Sequence, residues 1–354
     1  MKKRKKKTPK PTKTDRILIV MPNWVGDAVM ATPTLRAIRK RFPQAHIATL
    51  GKPYVRAILE GSPHLDDILD YPDKPGGNLV KLAARLKKHR FDLAVLLPNS
   101  FRSGLLVFLA GIKRRVGYDR DGRGVFLTDN LIAPRSKGKF IPTPALTYYL
   151  SLAKYLGARQ PDTKMELFVE PQDQKAADEL FAHHNIEPDD PIIILNAGAA
   201  FGSAKCWPTK SFAQLGDLLV KQFGAKVLVS GGPREGRICR DVCRQMTQPA
   251  VDMVQSGPPT LGRLKAVIQR ASLLVTNDTG ARHFGAALEI PVVTLFGPTD
   301  PQWTDTFHES ERIVRVKVVC GPCKKRKCPK DHRCMTRISP KMVLNDAADL
   351  LEKQ

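Results

Sequence analysis

Arg16-Ile17-Leu18-Ile19-Val20-Met21, followed at once by Pro22-Asn23-Trp24-Val25-Gly26-Asp27 and then by Ala28-Val29-Met30, reads as a strand, a turn and the start of a helix. After Arg16 the strand has no polar position, as expected when both faces of a sheet are covered. Residues 27–41 predict the first helix, with Val29, Met30, Leu35 and Ile38 among its apolar positions. A strand that turns directly into a helix is a βα unit, and repeated units of this kind build a parallel sheet. Further strands are predicted over 45–50 and 91–97, and further helices over 78–89 and 102–110.

A second series begins at Pro191, with strands predicted over 192–195, 226–230, 273–276 and 292–296. Helices are predicted over 210–223, 234–246, 261–271 and 280–288. Each series makes one Rossmann-like half. The segment between them, 155–190, carries Pro161, Pro171 and Pro188 and no strong strand, so the domain boundary falls there. The expected division is a basic arm over 1–14, a first domain over 15–165 and a second over 166–338. The last helix, 339–354, is capped by Ser339 and expected to pack back on the first domain.

The chain carries 58 Lys and Arg against 34 Asp and Glu, a formal charge of +24. Eight of the cations (Lys2, Lys3, Arg4, Lys5, Lys6, Lys7, Lys10 and Lys13) lie in the arm, which has no acid and is expected to be disordered. The rest is still basic enough to imply an acidic partner: nucleic acid, an anionic membrane surface or a phosphorylated substrate. No apolar run approaches the ~20 residues of a spanning helix. The run after the basic head stops at Pro22, too short for a signal-peptide core. The chain is therefore expected to stay in the cytosol, where its seven cysteines serve as thiols or metal ligands rather than disulfides.

Three turns at strand ends have the chemistry of a site. In the first, Gly26 lets backbone approach a ligand and Asp27 presents a carboxylate, or else caps the helix. In the second, Asn196-Ala197-Gly198-Ala199-Ala200-Phe201-Gly202-Ser203-Ala204-Lys205 is a small-residue loop ending in one cation, which suits an anion unless Lys205 is simply exposed. It is not a Walker A loop. In the third, Asn277-Asp278-Thr279-Gly280-Ala281-Arg282-His283 opens a helix whose free N–H groups favour phosphate. Asp278 there is a sugar-binding carboxylate or a cap, and His283 a ligand or a packed helix residue.

Gly198 to Lys205 with Trp207-Pro208, Asn277-Asp278-Thr279-Gly280 with His283, and Leu295 to Pro301 resemble, in order, the motifs of glycosyltransferase family 9, the heptosyltransferases of lipopolysaccharide core synthesis. Pro22 to Met30 and the Ala-Lys-x-Trp-Pro block are most similar to the type II members. The resemblance implies an α/β GT-B fold, two Rossmann-like domains facing each other across a cleft. It implies an inverting transfer of heptose from ADP-heptose, held by the second domain, to a lipid A–Kdo–heptose acceptor held by the first. Asp27 is then the general base and Lys205 the partner of the leaving diphosphate. Gly202, Ser203, Glu235, Asp278, Thr279, Gly280 and His283 would contact the donor, Glu235 at its ribose. No metal or other cofactor is required. The chain would work in the cytoplasm, at the anionic inner face of the inner membrane, and would bind no nucleic acid. It departs from the family pattern at Asn196, where Pro is usual, at Cys206, where Arg is usual, and at Arg282, where an apolar residue is common. These positions bear on donor affinity rather than on the reaction class.

Two features admit other readings. Cys320-Gly321-Pro322-Cys323 with Cys328 and Cys334 is a fair ligand set for structural zinc or an iron–sulfur cluster, or else a thiol-rich loop without a ligand. Too little chain follows it for a thioredoxin-like fold, and ferredoxin spacing is not met. Asp119-Arg120-Asp121 has the D-x-D spacing of metal-dependent glycosyltransferases, but glycines beside it predict a surface turn. The rival to the enzyme is a non-catalytic basic nucleic-acid-binding protein, which the aromatic-free arm argues against.

Overall fold

The structure is a computed structural model and describes residues 14–71 and 78–353; apart from Thr14, the basic arm lies outside the described residues. Alternation along β1 (Arg16–Val20) sends Ile17 and Ile19 into one apolar cluster and Leu18 and Val20 into another on the opposite face. This strand is the centre of a parallel sheet. β2 (His46–Gly51) and β3 (Asp67–Asp70) extend it on one side, and β4 (Leu93–Leu96), β5 (Arg114–Tyr118) and β6 (Asp129–Leu131) on the other, in the order β3-β2-β1-β4-β5-β6. Its helices are α1 (Val25–Met30), α2 (Thr32–Arg41), α3 (Pro53–Leu59), α4 (Leu79–Lys88), α5 (Phe101–Leu109) and α6 (Ala145–Tyr155). A two-residue ribbon, β7 (Arg135–Ser136) and β8 (Lys139–Phe140), projects before α6.

The helix expected over 27–41 is two helices. Pro33 has no N–H to offer Val29, and the Thr32 hydroxyl takes that carbonyl instead, at 2.8 Å. The chain breaks at Ala31 for this reason.

After α7 (Pro171–His183) the second sheet repeats the first. It comprises β9 (Ile192–Asn196), β10 (Lys226–Ser230), β11 (Ala250–Asp252), β12 (Leu273–Asn277), β13 (Val292–Phe296) and β14 (Glu311–Arg315). All pairings are parallel, in the order β11-β10-β9-β12-β13-β14. α8 (Thr209–Phe223), α9 (Gly236–Gln245), α10 (Leu261–Gln269) and α11 (Gly280–Ala287) connect these strands. α12 (Arg333–Thr336) and α13 (Pro340–Leu351) close the chain. Both sheets thus have the strand order of a dinucleotide-binding fold, and the expected pair of Rossmann-like halves is present.

α13 does not return to the first domain. Its stripe Val343, Ala347 and Leu350 belongs to the apolar cluster of Phe212, Leu215 and Leu219 on α8, so the helix covers the second sheet. The spacing of that stripe is visible in the sequence; its partner is not. The inner faces of the two sheets share one core, in which Ile17 and Ile19 belong to the same cluster as Ile192, Ile194 and Leu274.

The halves meet most closely where α1 faces α11. A Cβ on Gly26 would lie 2.6 Å from His283 Cδ2, and one on Gly280 would lie 2.7 Å from Val25 Cγ1. An alanine at Gly26 would gain up to ~1 kcal/mol of helix propensity but overpack a closed seam, at a cost of ~1–3 kcal/mol. Gly26→Ala is therefore expected to destabilise the protein on balance. Denaturant unfolding that gives a midpoint at or above the parent's would contradict the close packing.

Candidate active site

In each sheet the connections run outward in opposite directions from the first strand, so a crevice opens where β1 meets β4 and where β9 meets β12. The three turns singled out in the sequence all end at these crevices. They converge on a cavity of about 300 Å³ lined by Asp27, Lys205, Asp278, Thr279, Gly280 and His283, with Val25 and Thr304 at its edges.

Asp27 does not cap α1. That helix starts at Val25 after Trp24, and Asp27 sits within its first turn. Its Oδ1 accepts a hydrogen bond from the Tyr149 hydroxyl of α6 at 2.9 Å. Burial pushes the Asp27 carboxyl above its ordinary value, while the Tyr149 hydroxyl and the positive charge of Lys205 partly oppose the rise. Tyr149 is itself raised well above the usual phenol range by burial and by Asp27, so it remains a donor. The outcome is a carboxylate more basic than a surface aspartate.

Lys205 is not an exposed loop lysine. Its Nζ donates to Asp278 Oδ2 at 2.6 Å and to the Asp278 carbonyl at 2.8 Å, and the two side chains are only 12% and 6% exposed. It also lies 5.1 Å from the centre of the Phe201 ring. Asp278 is no cap either, because α11 starts at Gly280 after Thr279 with no side-chain cap. Burial works to raise the Asp278 carboxyl, but Lys205, the Thr299 hydroxyl and Arg282 outweigh it and hold the group ionised. His283 is buried against Gly26; burial and then Arg282 push its imidazole down to about 3, so it is neutral.

Buried amides hold the loops in place. Asn277 Nδ2 donates to the carbonyls of Ala197 and Gly198, and its Oδ1 accepts from Trp207 N, tying the small-residue loop to β12. Asn196 donates to Thr276 and Thr279 and accepts from Ser230. Gly202 has φ of +152°, and a Cβ there would lie 2.4 Å from the Arg326 carbonyl oxygen. Its lack of a side chain thus serves a contact within the protein. Ser203 is exposed at the start of the 3₁₀ turn that ends in Lys205, and neither Gly202 nor Ser203 lines the cavity.

Two further chambers open from this centre. One, of about 160 Å³, is lined by Gly198, Ala199, Glu235, Pro259 and Phe284 and shares Thr279 and Gly280 with the central cavity. Glu235 stands at its wall, where its carboxylate accepts from Gly232 N at 2.7 Å. The other, of about 290 Å³, shares Asp27 and Thr304 and is lined by Asn99, Arg120, Tyr148, Tyr149 and Trp303. Arg120 lies over the Phe140 ring at 3.9 Å. Of the D-x-D triplet, Asp119 and Asp121 are exposed as expected, but Arg120 between them faces the chamber. Thr299 lies in the Leu295–Pro301 motif but had no role assigned; Arg120, Tyr148, Tyr149 and Trp303 were not anticipated. Nothing local in the sequence distinguishes them from structural residues.

The seven cysteines are free thiols. Among the described residues, no three His, Cys, Asp or Glu side chains are grouped as a metal site would require.

The neutral His283 has a consequence for stability. Its pKa is lower in the fold than the ~6.5 of an unfolded chain, so below that pH the unfolded state binds a proton that the fold refuses. Stability therefore falls with acidity, by about 1.4 kcal/mol from this group between about pH 7.5 and 5.5. His283→Gln should remove that share of the pH dependence in urea unfolding. An unchanged slope would mean that the imidazole titrates normally.

A sequence model of glycosyltransferase family 9 (heptosyltransferase) matches residues 79–334. Lipopolysaccharide heptosyltransferase 2 of Salmonella typhimurium is 28% identical over 352 residues, 96% of this chain and 99% of that protein. The Escherichia coli K12 protein of the same name is 29% identical over 349 residues, 95% and 98% of the two chains. Among solved structures, E. coli ADP-heptose lps heptosyltransferase II superposes with a TM-score of 0.80 at 26% identity, covering 96% of this chain and 99% of that one. The family 9 glycosyl transferase from Veillonella parvula, at 23% identity, gives 0.82 over 96% and 98% and attests the fold. The family match takes in two of the three turns that build the cavity, the similarity to the solved heptosyltransferase extends to the first, and the chain belongs to glycosyltransferase family 9, the heptosyltransferases.

Proposed function

We propose that this protein is an inverting glycosyltransferase that moves heptose from ADP-heptose to the lipopolysaccharide inner core, on a lipid A–Kdo–heptose acceptor. The observation that carries the reading is the meeting, in one cavity, of the raised Asp27 carboxylate of one domain with the Lys205–Asp278 pair of the other. Family membership and full-length similarity to heptosyltransferases 2 support the same activity. They speak against the nucleic-acid-binding alternative.

In this reading Asp27 takes the proton of an acceptor hydroxyl, whose oxygen attacks the anomeric carbon opposite the diphosphate. The bond from that carbon to the diphosphate oxygen breaks and its electron pair leaves with ADP. Lys205 and the free N–H groups at the start of α11 meet the departing charge. The chamber beside Glu235 has the apolar walls and the carboxylate that an adenosine needs, and the chamber beside Arg120 takes the acceptor. No helix among the described residues is long and apolar enough to cross a membrane. The excess of basic residues suits peripheral contact with the anionic inner face of the inner membrane, where a lipid-linked acceptor resides.

Asp27→Asn removes the base and keeps the shape. It should leave ADP binding intact and lower the transfer rate by roughly 10²–10⁴-fold; a near-parental rate would assign the proton to another group. Tyr149→Phe takes away a hydrogen bond that favours ionised Asp27, so the acid limb of the pH–rate profile should move to higher pH. A limb that stays put or moves down would separate it from Asp27. The reading requires no cofactor, and zinc in the cysteine loop would be a structural addition. Dialysis against a chelator should leave the rate unchanged, and loss of activity restored by zinc would contradict this.

A further inference from the structure

Lys205 faces a conflict of partners. Its ammonium is neutralised by Asp278, and Asp278 is too buried to be abandoned without a replacement partner. Arg282 stands behind that carboxylate. It is fully buried; its Nε and Nη2 donate to the two oxygens of Glu311 at 2.5 and 3.0 Å, and its Nη1 donates to the Thr304 carbonyl at 2.8 Å and hydroxyl at 3.0 Å. The same Nη1 lies 3.9 Å from Asp278 Oδ1. The oxygens of Asp278 are therefore divided. Oδ2 takes Lys205 and the Thr299 hydroxyl, and Oδ1 faces Arg282.

We propose that Arg282 is a positioning residue for the transfer: it is the standing counter-charge of Asp278 that lets Lys205 leave the carboxylate and turn to the donor's diphosphate. This rests on the reading that Lys205 serves the leaving group. Glu311 makes the arrangement possible, because it holds the guanidinium in a buried site while Thr294 and Thr306 hold Glu311. Within the protein these two cations balance two carboxylates. When the diphosphate enters, Asp278 keeps Arg282 on one oxygen and Thr299 on the other, and the charge of Lys205 becomes available. Without Arg282, freeing Lys205 would strand a buried carboxylate, and the lysine would stay where it is.

The test removes the counter-charge as a neutral pair. Arg282→Met with Glu311→Gln avoids a lone buried charge and leaves an oxygen for the two threonines; thermal unfolding checks that it folds. ADP binding by calorimetry is expected to weaken about tenfold or more, as loss of a charged hydrogen bond does. Adding Asp278→Asn to that double variant should recover much of the affinity, because a neutral side chain no longer retains Lys205. A role limited to holding Thr304 would give no such recovery. ADP affinity within twofold of the parent in the double variant, or a loss that Asp278→Asn does not reverse, overturns the proposal. Lys205→Met in the same assay tests the underlying reading separately. If it leaves ADP affinity unchanged, the lysine does not meet the diphosphate and the role of Arg282 falls with it. If it weakens binding while the double variant does not, only the role of Arg282 falls.

Discussion

Everything in the cavity depends on how closely the first turns of α1 and α11 can approach each other. Gly26 and Gly280 provide that closeness, one from each half, and a side chain at either would press on Val25 or His283. Because each helix follows a central strand of its own sheet, the contact brings two strand-end crevices together. Asp27 then lies within electrostatic reach of Lys205, although they sit in different halves of the chain. The seam is also continuous with the main apolar cluster, so the approach is held from behind by packing as well as at the contact. His283 illustrates the cost of such closeness. An imidazole that fills this space cannot accept a proton without a counter-charge, and Arg282 beside it makes protonation harder still.

In the proposed transfer, the cavity must satisfy two electrostatic demands that oppose one another. A base works better when it holds its proton more tightly, and a nearby cation lowers that tendency. A leaving diphosphate needs the same cation. The structure separates the demands by giving Lys205 a carboxylate of its own. Paired with Asp278, the ammonium exerts less field on Asp27, and burial is left to raise that carboxyl. The two aspartates, similar in sequence context, are driven in opposite directions by their surroundings. One has a phenol and a distant cation, the other a lysine, a hydroxyl and an arginine.

This opposition explains what could and could not be read in the sequence. The central strands were legible because burial on both faces leaves only apolar residues in Ile17–Val20 and Ile192–Leu195. The edge strands β3, β6 and β11 were not. They are three or four residues long and carry Asp67, Asp70, Asp129 and Asp252, so no apolar run announces them. The three loops were legible as sites through small residues and lone charges at strand ends. Whether Asp27 and Asp278 cap helices was not, because a carboxylate at a helix start has the same local sequence in either role. The partners that decide it are remote: Tyr149 stands 122 residues from Asp27, and Lys205 stands 73 from Asp278. Arg120 was hidden in the same way, in a triplet whose two acids do face solvent.

The remaining constraint lies behind the lysine, in the cysteine-bearing segment between β14 and α12. Its peptide groups act as a template for the neighbouring loops. The Arg326 carbonyl accepts from Ala204 N at 3.0 Å, and Lys324 N donates to the Pro298 carbonyl at 2.8 Å. His332 pairs with the Ala204 carbonyl at 2.8 Å, and Arg326 and Lys324 lie over Phe201 and Trp303. Lys205 follows immediately after Ala204, so its backbone is fixed from a segment that touches none of the three chambers. The glycine that permits this approach, Gly202, reads in the sequence as part of an anion-binding loop. In the structure it makes room for Arg326. In the proposed reading the loop's lysine serves an anion, while its glycine answers to the protein. Sequence pattern alone gives both residues one purpose, whereas packing gives each its own.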